Sequence, residues 1–186
     1  MRVLGISGSL RRDSYNTKLL RAAEELLPPG VELEVWDELK AVPPFDEDDE
    51  LGPAPAAVAS LRDAVAAVDA IMVATPEYNA SIPGQLKNAV DWLSRPAATT
   101  PLRNKPALVV GASTGAFGAV WAQAELRKVL ATAGARVVEA ELAVGHALTR
   151  FDDSGAFVDE DLRDELGEAL EVLLTELPVR SVALAA

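Results

Sequence analysis

The chain has no cysteine. Disulfides, thiolate nucleophiles, cysteine-bound zinc and iron–sulfur clusters are therefore excluded. A single histidine, His146, also rules out a histidine-rich metal site. Aromatic side chains are scarce, at 5% of residues. No apolar run approaches the ~20 residues that span a bilayer, so no membrane partner is expected. The chain opens Met1-Arg2-Val3-Leu4-Gly5-Ile6-Ser7-Gly8-Ser9. This apolar stretch is too short for a signal peptide and runs straight into a turn, so a cytoplasmic location is expected. Positive charge is short as well: 17 Lys and Arg stand against 29 Asp and Glu, a formal net charge of −12. So acidic a surface argues against nucleic acid, whose phosphates need clustered Lys and Arg. An anionic ligand must then be held by local donors working against the overall field. Redox chemistry, if present, must come from a bound cofactor.

What is present is a globular composition: 186 residues, 49% hydrophobic and 25% charged. That length suits one domain, residues 1–186, with a sizeable core. Short β-branched runs alternate with longer amphipathic stretches. Residues 2–6 read as the first strand. Leu19, Leu20, Ala23, Leu26 and Leu27 fall at helical spacing within 16–27, and Pro28-Pro29-Gly30 ends that helix. Residues 31–36 alternate apolar and polar like an edge strand. Residues 37–56 are irregular and acidic and hold Pro43, Pro44, Pro53 and Pro55. Structureless loops of this length are uncommon in compact domains, so the segment reads as one long functional loop. A helix over 57–67 follows, then an almost wholly apolar strand over 69–75, as expected at the centre of a parallel sheet. Helices at 83–94, 118–132 and 159–175 and strands at 106–112 and 135–140 complete the pattern. Pro83 suits the first turn of its helix. Strand–helix alternation implies parallel pairing with right-handed crossovers, hence an α/β, three-layer doubly wound fold with a five-stranded parallel sheet. Ligands of such folds sit at the C-terminal strand ends, where the strand order reverses.

Three loops lie at those ends. The first, Ser7 to Thr17, has Gly8 for a tight turn and hydroxyl or amide donors on Ser9, Ser14, Asn16 and Thr17. Arg11 adds a fixed cation, and the helix N-terminus adds free N–H groups. Together these make a phosphate cradle, although Ser14 or Asn16 alone is also an ordinary helix cap. The spacing is neither G-x-G-x-x-G nor G-x-x-x-x-G-K-[ST]. The second loop, Thr75 to Gly84, has Pro76 and Asn79 to shape a turn and Tyr78 as an aromatic wall. The third, Gly111 to Gly118, places a Ser113-Thr114 pair before Gly115, where backbone can approach a ligand closely. His146 reads as structural. Glu77 and Lys87 read as solvent-facing or ion-pairing, and Trp92 as packing.

These blocks are G-S-L-R-x-x-S-Y-N, P-E-Y-N-x-S-I-P-G-x-L-K-N-A-V-D-W-L-S-R and S-T-G-x-x-G. Together they resemble the NADPH-dependent FMN reductase family, which includes flavodoxin-like quinone, chromate and azo-dye reductases. The likeness runs from Val3 to about Val144 and is most specific over Pro76 to Arg95. It implies a flavodoxin-like fold with strand order 2-1-3-4-5 and one non-covalent FMN. By position it implies that Ser9, Arg11, Ser14, Tyr15, Asn16 and Thr17 hold the FMN phosphate. Pro76, Glu77, Tyr78 and Asn79 would line the isoalloxazine ring, and Ser113, Thr114 and Gly115 its other edge. It further implies hydride transfer from NADPH or NADH to FMN N5 and then to a small-molecule acceptor: a quinone, free flavin, azo compound or metal oxyanion. No protein residue is required as a general acid or base. A homodimer or homotetramer with flavin near the subunit interface is implied too. The segment Phe45-Asp46-Glu47-Asp48 resembles the family's P-x-F/Y-D/N-x-D stretch in an unusually acidic form, which would favour neutral or cationic acceptors. Arg11, Arg12 and Arg95 are the candidates for a nicotinamide 2′-phosphate. Two other readings stay open on the sequence. One is a flavodoxin-type electron carrier for a protein partner, which would not oxidise NAD(P)H itself. The other is a flavin-free module.

Overall fold

Period-2 alternation along buried strands divides their side chains between two helical layers. The computed structural model describes residues 1–177. Strands β1 (Arg2–Ser7), β2 (Glu32–Trp36), β3 (Ala70–Thr75) and β4 (Pro106–Ala112) pair in parallel in the order β2-β1-β3-β4. Every residue of β3 and β4 is buried, which explains why both read as unbroken apolar runs. On one face Leu4, Ile71, Val73 and Val109 meet helices α2 (Ala56–Ala66), α3 (Gly84–Leu93) and α4 (Val120–Thr132). On the other, Val3, Met72, Leu108 and Val110 meet α1 (Tyr15–Leu26) and α5 (Glu160–Thr175). The result is the doubly wound, flavodoxin-like arrangement with order 2-1-3-4-5.

The fifth strand differs from its expected form. Residues 135–140 do not make one continuous strand. The edge is split into β5 (Arg136–Val137) and β6 (Ala143–Val144), and both pair with β4. Between them the chain leaves the ladder, and the Arg127 guanidinium enters the gap. Its Nη2 donates to the carbonyls of Val109 at 3.2 Å and Ala140 at 2.9 Å, and its Nη1 meets Glu141 at 2.9 Å. A carbonyl of β4 that a regular edge strand would have bonded is thus satisfied by a side chain. Burial disfavours the charged guanidinium and Glu141 favours it; burial is the larger effect, and the Arg127 pKa is lowered. Interrupting the edge and lining it with Glu139 and Glu141 also blunts it against pairing with other chains.

Residues 37–56 are not a free excursion. They contain two short 3₁₀ turns, Leu39–Ala41 and Glu47–Leu51, and bury Leu39 and Val42. One face of α3 holds them. Gln85 donates to the carbonyls of Leu39 and Val42, at 2.9 and 2.8 Å. Asn88 accepts from the Phe45 N–H at 2.7 Å and donates to the Pro43 carbonyl at 2.8 Å. Trp92, 2% exposed, donates to the same carbonyl at 2.9 Å and meets Phe45 edge-on at 5.0 Å. Trp92 is therefore packing, as its helical spacing suggests. Helix α4 starts at Val120, later than expected, because Gly118 and Ala119 both take left-handed backbone, at φ +56° and +65°.

Candidate functional site

The ends of β1, β3 and β4 enclose a cleft of about 120 Å³. The first loop contributes Ser9, Arg11, Ser14, Tyr15 and Asn16. The second contributes Pro76, Glu77 and Tyr78, and the third Ser113 and Thr114. Ala112, the last residue of β4, completes the lining and was not anticipated. The volume is below the ~300 Å³ of the smallest usual ligand pockets, so it encloses part of a cofactor, not all of it.

The first loop gathers hydrogen-bond donors around the start of α1. Ser14 caps α1, its Oγ accepting from the Thr17 N–H at 3.4 Å. The next N–H groups, of Tyr15 and Asn16, have no protein partner among the described residues. Helix α1 has no acidic residue in its first turn to answer its dipole. Asp13, just outside, pairs with Lys18 at 3.0 Å. Arg11 and Arg12 have no carboxylate partner among the described residues. Unpaired donors and a free cation thus meet at one helix N-terminus, the chemistry that a phosphate monoester fits.

Several of the expected site residues have scaffold duties. Asn16 is buried and clasps Ala112: its Nδ2 donates to that carbonyl, and its Oδ1 accepts from that N–H, both at 3.0 Å. It latches the first loop to the third. Thr17 does not line the cleft; its hydroxyl bonds Ser7 Oγ at 3.1 Å. The Tyr15 ring stacks on Phe151 at 5.9 Å, and Phe151 stacks on Phe157 at 4.8 Å. Asn79 also lies outside the cleft lining. It and Ala80, at φ +54° and +58°, form the two-residue turn between Tyr78 and Ser81, which exchange N–H···O bonds of 3.0 and 3.2 Å. Gly115 is not in the lining either; its N–H reaches Ser113 Oγ at 3.1 Å, and its carbonyl accepts from the His146 N–H at 2.9 Å. His146 itself is exposed, with φ +51°.

Glu77 has a role the sequence left open. Its Oε2 accepts from the N–H groups of Trp121 and Ala122, both at 3.1 Å. It thereby supplies the anion at the N-terminus of α4, which removes that helix as a phosphate site. Glu125 of α4 returns the tie, accepting from the Ser81 hydroxyl at 2.6 Å. The second loop is therefore fixed to α4 at two points. Lys87 pairs with Asp91 at 2.5 Å on the surface of α3.

A doubly wound parallel sheet, with an anion-ready first loop and two further loops closing one cleft, defines a flavodoxin-type cofactor-binding protein. Residues 1–149 match the NADPH-dependent FMN reductase family. An NAD(P)H-dependent FMN reductase of Pseudomonas aeruginosa is 41% identical over 174 residues, 93% of each chain. A 2-hydroxy-1,4-benzoquinone reductase of a Burkholderia species is 35% identical over 167 residues, 89% of this chain and 90% of that one. The solved structure of FerB, a flavoenzyme NAD(P)H:(acceptor) oxidoreductase of Paracoccus denitrificans, superposes with a TM-score of 0.84. It is 32% identical and covers 95% of this chain and 99% of its own. The chain belongs to the NADPH-dependent FMN reductase family. It is an FMN-dependent NAD(P)H oxidoreductase, with FMN as cofactor and NAD(P)H as reductant. No helix among the described residues is long and apolar enough to cross a membrane.

Proposed function

We propose that the FMN phosphate sits in the first loop and that the whole chain acts as one flavin-binding domain. In this reading Arg11 and the N–H groups of Tyr15 and Asn16 bind the phosphate, with Ser9 and Ser14 adding hydroxyl donors. Pro76, Glu77 and Tyr78 line one side of the isoalloxazine, and Ser113 and Thr114 the other. Thr17, Asn79 and Gly115 act behind them, holding the loops in shape. The observation that carries the reading is the meeting of a carboxylate-free arginine with an unanswered helix N-terminus in one cleft. Bound FMN supplies the redox chemistry, accepting a hydride from NAD(P)H and passing two electrons to an acceptor. The protein's part is to bind, orient and shield.

The acceptor we propose is a quinone. Relatives named for quinone reduction support that class. So do the net charge of −12 and the acidic run Asp46 to Glu50, which repel oxyanions such as chromate. One NAD(P)H, one proton and one quinone give one NAD(P)⁺ and one hydroquinone. We also propose a homodimer or homotetramer, supported by the exposed Leu148 and Val158 on the segment between β6 and α5. Its compartment is the cytoplasm, where its nicotinamide reductant is held.

Anaerobic addition of NADPH to the purified yellow protein tests the reading. The expected result is bleaching of the visible flavin bands and their return when a quinone is admitted. A protein that stays oxidised under both NADPH and NADH would instead be an electron carrier.

A further inference from the structure

Aromatic residues are few in this chain, and three of them are conspicuously exposed. Tyr78 is 49% exposed, Phe117 63% and Trp121 50%. The other two tryptophans, Trp36 and Trp92, are buried. Phe117 and Trp121 meet each other edge to face at 5.1 Å, with 68° between ring planes. Phe117 lies in the third loop, three residues after the cleft-lining Thr114, and Trp121 lies in the first turn of α4.

Two rigid contacts fix where the pair stands. The Trp121 N–H donates to Glu77, whose neighbour Tyr78 also lines the cleft. Gly118 lies so close to β6 that a Cβ there would come within 2.3 Å of the Ala143 carbonyl carbon. The pair is therefore presented to solvent by anchored backbone, next to the cleft, and not by a loose loop. The nearest tying carboxylate, Glu77, is engaged with the α4 N-terminus, so the rings themselves offer an uncharged face. Two rings present at most about 500 Å² of apolar surface. They are ample for one flat bicyclic molecule.

We infer that Phe117 and Trp121 form a stacking wall for a planar, uncharged electron acceptor beside the flavin cleft, making them specificity-determining residues for the acceptor half of the reaction. The inference rests on the cleft being the flavin site. The step it serves reduces a quinone to a hydroquinone: the hydride of NAD(P)H supplies both electrons and one proton, and solvent supplies the second proton. An offset or edge-on ring contact contributes enough that losing both rings costs about tenfold in affinity.

The test uses the flavin-loaded protein and menadione, a neutral bicyclic quinone. Calorimetry of the oxidised protein with oxidised menadione reads binding without turnover. In Phe117→Leu/Trp121→Leu the dissociation constant is expected to rise about tenfold. The ratio of kcat/KM for menadione to that for ferricyanide, which does not stack, is expected to fall by about the same factor. Trp121→Phe, which keeps a ring, should retain most of the wild-type affinity. FMN affinity of the double variant, by flavin fluorescence, reports that the fold is intact. Wild-type menadione affinity in the double variant would overturn the inference. So would a smaller solution mass for the double variant, which would assign the rings to a subunit interface. Failure of the wild-type protein to bind FMN or oxidise NADPH would instead overturn the reading of the cleft.

Discussion

Arg11→Gln is expected to weaken FMN binding about 10- to 100-fold, while the apoprotein unfolds at the wild-type urea midpoint. The factor follows from one hydrogen bond to a charged group, about 1.5–3 kcal/mol, at about 1.4 kcal/mol per tenfold. Stability should hold because Arg11 is exposed and makes no ion pair among the described residues. Titration of apoprotein with FMN, followed by quenching of flavin fluorescence, gives the affinity. Arg11→Lys separates charge from geometry: a point charge restores part of the binding, whereas a fork-shaped contact is lost. An unchanged affinity in Arg11→Gln would remove this residue from the phosphate site.

Gly118→Ala is expected to lower the unfolding free energy by about 2–5 kcal/mol, a large share of the ~5–15 kcal/mol that a domain has. Two independent causes add. The backbone sits at φ +56°, where a Cβ is unfavourable, and the added carbon would meet the Ala143 carbonyl carbon at 2.3 Å and the Val144 nitrogen at 2.6 Å. Both obstacles are backbone, so no side chain can swing aside. Relief requires the third loop to lift off β6, which should also weaken FMN binding. Gly167→Ala makes the contrast. This glycine lies inside α5 with open space around its Cα, and its replacement should stabilise by about 0.5–1 kcal/mol. Urea denaturation of the three proteins checks the order. Equal midpoints for wild type and Gly118→Ala would show that the third loop is not pressed onto β6.

The central strands and the helices were legible because burial on both faces leaves an uninterrupted apolar run, as in Ala70–Thr75, and a helix repeats its apolar face. The break in the fifth strand was not. It depends on Arg127, which enters from α4, and nothing in residues 135–140 announces a side chain from elsewhere in the chain. The order of the long loop was hidden for a related reason. Its order comes from Gln85, Asn88 and Trp92, at i, i+3 and i+7 of α3, a polar stripe that helical periodicity displays but does not connect to residues 39–45. The donors of the first loop were readable because Ser, Arg and a helix start are local signals. The roles of Asn16 and Glu77 were hidden, since each depends on a backbone group far away in sequence, at Ala112 and at Trp121. A sequence shows which residues can donate or accept; only the fold shows which partners they already have.

The central claim is that the first loop holds a phosphate, and comparing FMN with riboflavin tests it most directly. The two ligands share the ring and ribityl chain and differ only in the phosphate. Fluorescence titration of the apoprotein should give an affinity for FMN at least about 100-fold above that for riboflavin, from two or more charge-assisted bonds, and Arg11→Gln should narrow the gap. Equal affinities for the two ligands would contradict the account and place the source of flavin binding in the second and third loops instead.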